Sequence, residues 1–235
     1  MKKLIFLLSA LLVMCFTSGT GYADPGDIIN IKFGGSPAYN NGAAINDVTG
    51  QTWNSFASTD IEQIDAETLM YSNGVNSGAT IYYNMTGTKG LDSTGTAFTS
   101  IDKPFMRGFI STDAYNTGTL TISGLSAGTY TVYVYSQVDK NLTSTLDMTA
   151  NGTNFDLTNN GSLTALTLNQ NWTSHDVIVG SDGLLNVSFG TNNQINGLQL
   201  VEVVPEPGSL ALIGVGSLFA LGFKRLKSKE ESAVA

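Results

Sequence analysis

The sequence predicts an all-β chain: an antiparallel jelly-roll β-sandwich flanked by an N-terminal signal peptide and a C-terminal transmembrane helix. Three observations carry this. Roughly nine or ten short segments alternate apolar and polar residues, with turn signals about every 8–12 residues. Helical periodicity is nearly absent between the two termini. Polarity comes from Asn, Thr, Ser and Gly, while only 13% of residues are charged, which is the texture of an exported, turn-rich protein.

Taken in order, Ile28 to Phe33 ends on the alternation Ile29, Ile31, Phe33 and closes on Gly34-Gly35, a first strand. Gly42 to Ser58 is small and polar around Trp53 and Phe56 and reads as a loop crossing under the sandwich. Ile61 to Met70 is compatible with a helical turn or an irregular strand. Ala79 to Met85 and Lys103 to Ile110 read as strands. The segment from Thr119 to Val138 is the clearest. Leu120 and Ile122 face one way, Ser123 to Gly128 turns, and Tyr130, Val132 and Val134 then oppose Thr131, Tyr133 and Tyr135.

Thr145 to Ala150 and Thr153 to Leu157 flank Asn151-Gly152, a strong hairpin signal because both residues accept positive φ. Leu163 to Leu168 and Trp172 to Val179 follow as strands. Ser181-Asp182-Gly183 turns into Leu185, Val187 and Phe189. Ile195 to Val203 is the last strand, with Ile195 and Leu198 out of step by one and Gly197 as the expected bulge. The order of these segments, above all Ser123 to Tyr135 and Leu184 to Val203, resembles galactose-binding-like and malectin-like jelly rolls.

The termini address the chain. Lys2-Lys3, an apolar stretch from Leu4 to Phe16, and small residues ending Gly21-Tyr22-Ala23 read as a signal peptide over residues 1–23. Cys15 lies within it, so the rest of the chain has no cysteine and no disulfide. The sandwich is expected over residues 24–203. Beyond it, Val204, Pro205, Glu206 and Pro207 lead into an apolar run, residues 208–223, and then Lys224, Arg225 and Lys227, with a cytoplasmic tail at 228–235. The run is about 24 Å of helix, short of a ~30 Å hydrocarbon core. Its strongly apolar residues contribute only about −2 to −5 kcal/mol toward insertion, which suits a temporary anchor. The basic cluster stays cytoplasmic and everything upstream lies outside.

Pro-Glu-Pro, short helix and basic stop, in that order, resemble the PEP-CTERM sorting signal of Gram-negative bacteria. The resemblance implies handling by an exosortase, an inner-membrane-anchored precursor, delivery to the cell surface or outside, and a link to exopolysaccharide and biofilm.

Residues 24–204 hold sixteen Asp and Glu against five Lys and Arg, a formal charge of −11. Such a surface repels nucleic acid, so no nucleic-acid partner is expected. No cofactor is expected. A structural calcium could sit on oxygen ligands from Asp60, Glu62, Asp65 and Glu67, or from Asp24 and Asp27 near Glu202. The single histidine, His175, lies between Ser174 and Asp176, whose side chains point to the opposite face of a strand, so no triad can form from neighbours. No catalytic residue is therefore assigned.

Sugar rings stack on exposed aromatics, and Trp53, Tyr82, Tyr115 and Trp172 are the candidates. The expected function is a non-enzymatic surface or matrix protein. The alternatives are a carbohydrate-binding module, a secreted polysaccharide-active enzyme, and an ice-binding protein, for which Thr119, Thr121, Thr129 and Thr131 would have to form a flat ladder.

Overall fold

The computed structural model of the chain describes residues 27–34, 39–45, 50–56, 66–85, 89–91, 97–99, 102–138 and 142–203. The signal peptide, the sorting segment and its apolar helix lie outside these residues, as do Asp24, Asp60, Glu62 and Asp65.

The first described strands are β1 (Ile28–Phe33), β2 (Asn54–Phe56), β3 (Glu67–Met70), β4 (Asn76–Asn84) and β5 (Lys89–Leu91). A one-turn helix, α1 (Lys103–Met106), precedes β6 (Gly108–Ser111), β7 (Gly118–Ser123) and β8 (Gly128–Tyr135). The hairpin β9 (Thr143–Ala150) and β10 (Thr153–Asn160) leads to β11 (Trp172–Val179) and β12 (Leu185–Phe189). The last described strands are β13 (Gln194–Ile195) and β14 (Gly197–Glu202).

Two sheets face each other as an antiparallel jelly-roll sandwich. One has five strands in the order β11-β8-β14-β1-β2, the other six in the order β10-β9-β12-β7-β4-β3. A small third sheet, β13-β6-β5, closes one end. Strand alternation decides the core. Ile29, Ile31 and Phe33 of β1, Val132 and Val134 of β8, and Leu198 and Leu200 of β14 point at Ile81, Leu120, Val187, Met148 and Phe155 of the other sheet. Phe33 meets Tyr83 edge-on at 5.6 Å. Removing such a side chain, as in Ile31→Ala, costs about 2–5 kcal/mol.

Within the five-stranded sheet, β1 and the first four residues of β14 are buried on both sides. Asn30 and Lys32 of β1 face away from the core yet are fully buried. A second layer made of Tyr39, Trp53, Phe98, Phe105, Met106 and Tyr135 covers them. This layer explains why β1 reads as nearly continuous burial.

The six-stranded sheet shows its other face to solvent. Asn84, Thr119, Ser188, Thr149 and Asn154 fall in one row across five strands. Tyr82, Thr121 and Asn186 form a second, shorter row. Thr129 and Thr131 lie on β8 of the other sheet, so the four threonines do not form one ladder.

Four elements differ from the sequence reading. Lys103 to Ile110 is not one strand but α1 followed by β6, because Pro104 sits in the first turn, where its fixed φ suits a helix and its missing N–H is not needed. The loop from Gly42 to Ser58 contains β2, which pairs in parallel with β1. Asn54 makes this pairing, donating to the carbonyls of Asn30 and Met70 at 2.8 Å each and accepting from the Met70 amide. Leu163 to Leu168 forms no strand, because Asn169 at φ 61° and hydrogen bonds from Gln170 and Asn171 to Thr167 bend it into turns. Ile195 to Val203 is two strands, broken at Asn196, so the chain passes from the small sheet to the five-stranded one.

Asn196 holds that crossing. Its amide donates to the carbonyls of Met106 at 3.0 Å and Gly108 at 2.7 Å, and its oxygen accepts from the Gln137 amide at 2.6 Å. Gly197 is required beside it, since a Cβ there would lie 2.4 Å from the Ile31 carbonyl oxygen. Ile61 to Met70 resolves as strand at its described end, β3.

Candidate functional site

The four aromatic candidates have separate fates. Trp53 is buried at 9% exposure. Its indole N–H donates to the Asn41 carbonyl at 2.8 Å, and its ring packs edge-on to Tyr39 and tilted over Phe105. Neither ring face is open to a sugar, so the expectation for Trp53 is corrected: the layer over β1 needs its apolar area.

Trp172 is half-buried at the start of β11 and stacks on Tyr133 at 6.2 Å and 22°. Ser174 lies across from Tyr133 in the β11–β8 register, so the two rings share the outer side of the sheet.

Tyr115 is 91% exposed. It stands on a turn built by Asp113, whose Oδ1 accepts from the Tyr115 and Asn116 amides at 2.8 and 2.7 Å. The Asn116 side chain donates to both carboxylate oxygens. That side-chain bond and the amide bonds hold the Asp113 carboxyl below its ordinary range, so it stays ionised. The turn fixes the backbone that carries the ring. Tyr82, 37% exposed, projects from β4 on the open face of the six-stranded sheet.

A shallow recess lies at the end where β1 begins and β14 ends. Asp27, Ile29, Tyr71, Leu125, Tyr130 and Glu202 line it. Burial raises the Glu202 carboxyl above its usual range. Burial also pushes the Tyr130 hydroxyl up to about 12, with the nearby Glu202 charge adding to it. Tyr71 is raised by burial and by the charges of Asp27 and Glu202. The recess thus joins two of the acids considered for calcium, but among the described residues no group of three or more His, Cys, Asp or Glu converges on one point. Glu67 is exposed on β3.

His175 is exposed on β11 and meets Phe155 edge-on at 5.0 Å. Among the described residues no helix is long and apolar enough to cross a membrane. Val204, Pro205, Glu206, Pro207, Lys224, Arg225 and Lys227 lie outside the described residues.

The comparisons address the two parts of the chain separately. The PEP-CTERM protein-sorting motif matches residues 203–226. No curated protein sequence matches the chain. Among solved structures, beta-glucuronidase 2 of Bacteroides uniformis aligns at 15% identity and a TM-score of 0.48, over 75% of this chain and 18% of that one. A CBM35 from Cellvibrio japonicus Abf62 aligns at 19% identity and 0.35, over 52% and 87%. A family 35 carbohydrate binding module from Clostridium thermocellum aligns at 12% identity and 0.31, over 53% and 92%. This chain therefore spans less than a fifth of the glucuronidase. At these scores the likenesses assign neither ligand nor activity.

Proposed function

We propose that the chain is an exported, non-enzymatic protein whose β domain binds polysaccharide at the cell surface or in the matrix, after an exosortase has processed its C-terminal signal. One observation carries the sorting half. The last core strand ends at Glu202, and the motif begins at residue 203. A cut within the linker beyond that point removes no described strand. The domain can therefore be complete before, during and after processing. The sorting partner is the exosortase. The inner membrane is a temporary partner, through the apolar run and the basic stop at Lys224, Arg225 and Lys227.

The binding half rests on the exposed aromatics. Tyr115 on its hydrogen-bonded turn is a ring kept in water, where burial would otherwise stabilise the fold, and Tyr82 is partly exposed on an open sheet face. Trp172 with Tyr133 is a third, half-covered platform. A calcium at Asp27 and Glu202 would need further oxygen ligands beyond those two carboxylates and is left as a secondary feature of the reading.

The test has two arms. Replacing Pro205, Glu206 and Pro207 with alanine should trap the precursor in the inner-membrane fraction, and an unchanged distribution refutes the sorting half. Pull-down on insoluble polysaccharides should retain the protein, and the absence of retention on every polymer refutes the binding half.

A further inference from the structure

We infer that the polysaccharide surface is the open face of the six-stranded sheet, and that its ligand is an extended, uncharged glycan chain lying across the strands. The inference rests on the carbohydrate-binding reading above and names its site and ligand class.

The face is built by register. Asn84, Thr119, Ser188, Thr149 and Asn154 sit opposite one another on β4, β7, β12, β9 and β10. Strands lie about 4.8 Å apart, so the row runs about 19 Å. Three of its side chains, those of Thr119, Ser188 and Asn154, are exposed and the other two are half-buried. Each offers a hydroxyl or a carboxamide, groups that both donate and accept. In the next row the Thr121 hydroxyl already donates to the Asn186 side-chain oxygen at 3.1 Å, and beyond it Thr80 and Ser123 hydrogen-bond at 2.8 Å. Among the described residues no such side-chain bond links the five members of the long row to one another, so their polar groups remain available. Tyr82 lies two residues from Asn84 on the same face of β4, which places a ring about 7 Å from the end of the row.

The composition selects the occupant. A protein interface needs an apolar centre with aromatic, Met or Arg anchors, and this face offers one tyrosine. A second copy of the chain would bring its own carboxylates against Asp147 and Asp156, which already sit directly opposite each other on β9 and β10. The same two charges repel a uronate or phosphate polymer. An ice lattice needs an unbroken plane, and two of the five members of this row, Asn84 and Thr149, are half-buried. A neutral glycan meets every feature. Its hydroxyls pair with the row, and the C–H face of one ring stacks on Tyr82.

The test uses the full-length chain in mild detergent with three insoluble probes: a neutral β-glucan, chitin, and a polyuronate. The wild type should be retained by at least one neutral polymer and not by the polyuronate. Tyr82→Ala and Ser188→Lys should each weaken retention roughly tenfold, about 1.4 kcal/mol, with circular dichroism and melting temperature unchanged. Neutral-polymer retention that survives both variants but is lost in Tyr115→Ala or Trp172→Ala overturns the face and leaves carbohydrate binding standing. Retention on the polyuronate alone overturns the ligand class. No retention of the wild type on any probe overturns both readings. Self-association or inhibition of ice growth that the two face variants abolish overturns the glycan as occupant.

Discussion

Asn30 on β1 and Gln199 on β14 face each other on the covered side of the five-stranded sheet, and the Gln199 amide donates to the Asn30 side-chain oxygen at 2.7 Å. Around them the Tyr135 hydroxyl donates to Gln199, the Ala44 amide donates to Tyr135, and the Asn30 amide donates to Gln51 and to the Thr52 carbonyl. The pair is fully buried. Together with the bond from the Gln199 amide to the Gly42 carbonyl at 3.2 Å, these bonds tie Gly42, Ala44, Gln51 and Thr52 to the sheet.

Asn30→Ala should therefore destabilise the domain by about 2 kcal/mol, because it leaves the buried Gln199 amide, the Gln51 side-chain oxygen and the Thr52 carbonyl each short of a bond. Urea unfolding should show a lower midpoint with an unchanged m-value. Asn30→Ala and Gln199→Ala together should cost less than the sum of the two single changes, since each removes part of what the other loses.

Asn196 is the more sensitive position. Asn196→Ala breaks bonds to Met106, Gly108 and Gln137 at once, all buried. About 3 kcal/mol should be lost. Gly197→Ala should match or exceed it, because its Cβ would meet backbone at 2.4 Å and the Phe105 ring at 2.6 Å. Chemical denaturation of both variants checks the order.

Stability should rise and then fall with pH in the alkaline range. Lys32 is fully buried, and desolvation lowers its amine from 10.5 to about 8. Below pH 8 the amine is charged in both the folded and the unfolded chain. Between 8 and 10.5 the folded chain gives up its proton first, so stability climbs by roughly 3 kcal/mol at most. Tyr39, Tyr130 and Tyr135 act in the opposite sense. Burial raises all three, and Tyr130 reaches about 12. Above pH 10 their unfolded forms ionise first and stability falls. Denaturation midpoints across pH 7–12 should peak near pH 9–10, and Lys32→Met should remove the rising limb.

A chain ended after Val203 should unfold at the same denaturant midpoint as the longer protein, because no described strand lies beyond Glu202. A chain ended after Asn196 should fail to fold cooperatively. It lacks β14, which sits between β8 and β1 and supplies Leu198 and Leu200 to the core. Urea titrations of the two truncations separate these outcomes.

Much of the fold was legible in the residues because its signals are local. The alternation Tyr130, Val132, Val134 against Thr131, Tyr133, Tyr135 divides as read, with the first three in the inter-sheet core. Asn151-Gly152 turns as read, with both residues at positive φ. Two of the four errors arose where a nonlocal partner overrode a local pattern, the other two at a local helix start at Pro104 and a local turn at Asn169. Asn54 became strand through Asn30 and Met70, and Ile195 to Val203 divided because Asn196 bonds to the chain near Met106 and Gly108.

The candidate site was less legible. Tyr82, Tyr115, Trp172 and Trp53 are equally plausible platforms in the one-dimensional string, yet one is buried, one half-covered and two exposed. The long polar row joins residues 84, 119, 149, 154 and 188, which are scattered along the chain. What the sequence by itself determined is the class of element, the positions of the turns and the sorting signal at residues 203–226, since each depends on neighbours a few residues apart. Which strands became neighbours, and so which side chains share a face, was decided only by tertiary structure. Pairing and burial are set by free energies summed over residues far apart in the chain, and strand alternation specifies a face without naming what lies across it.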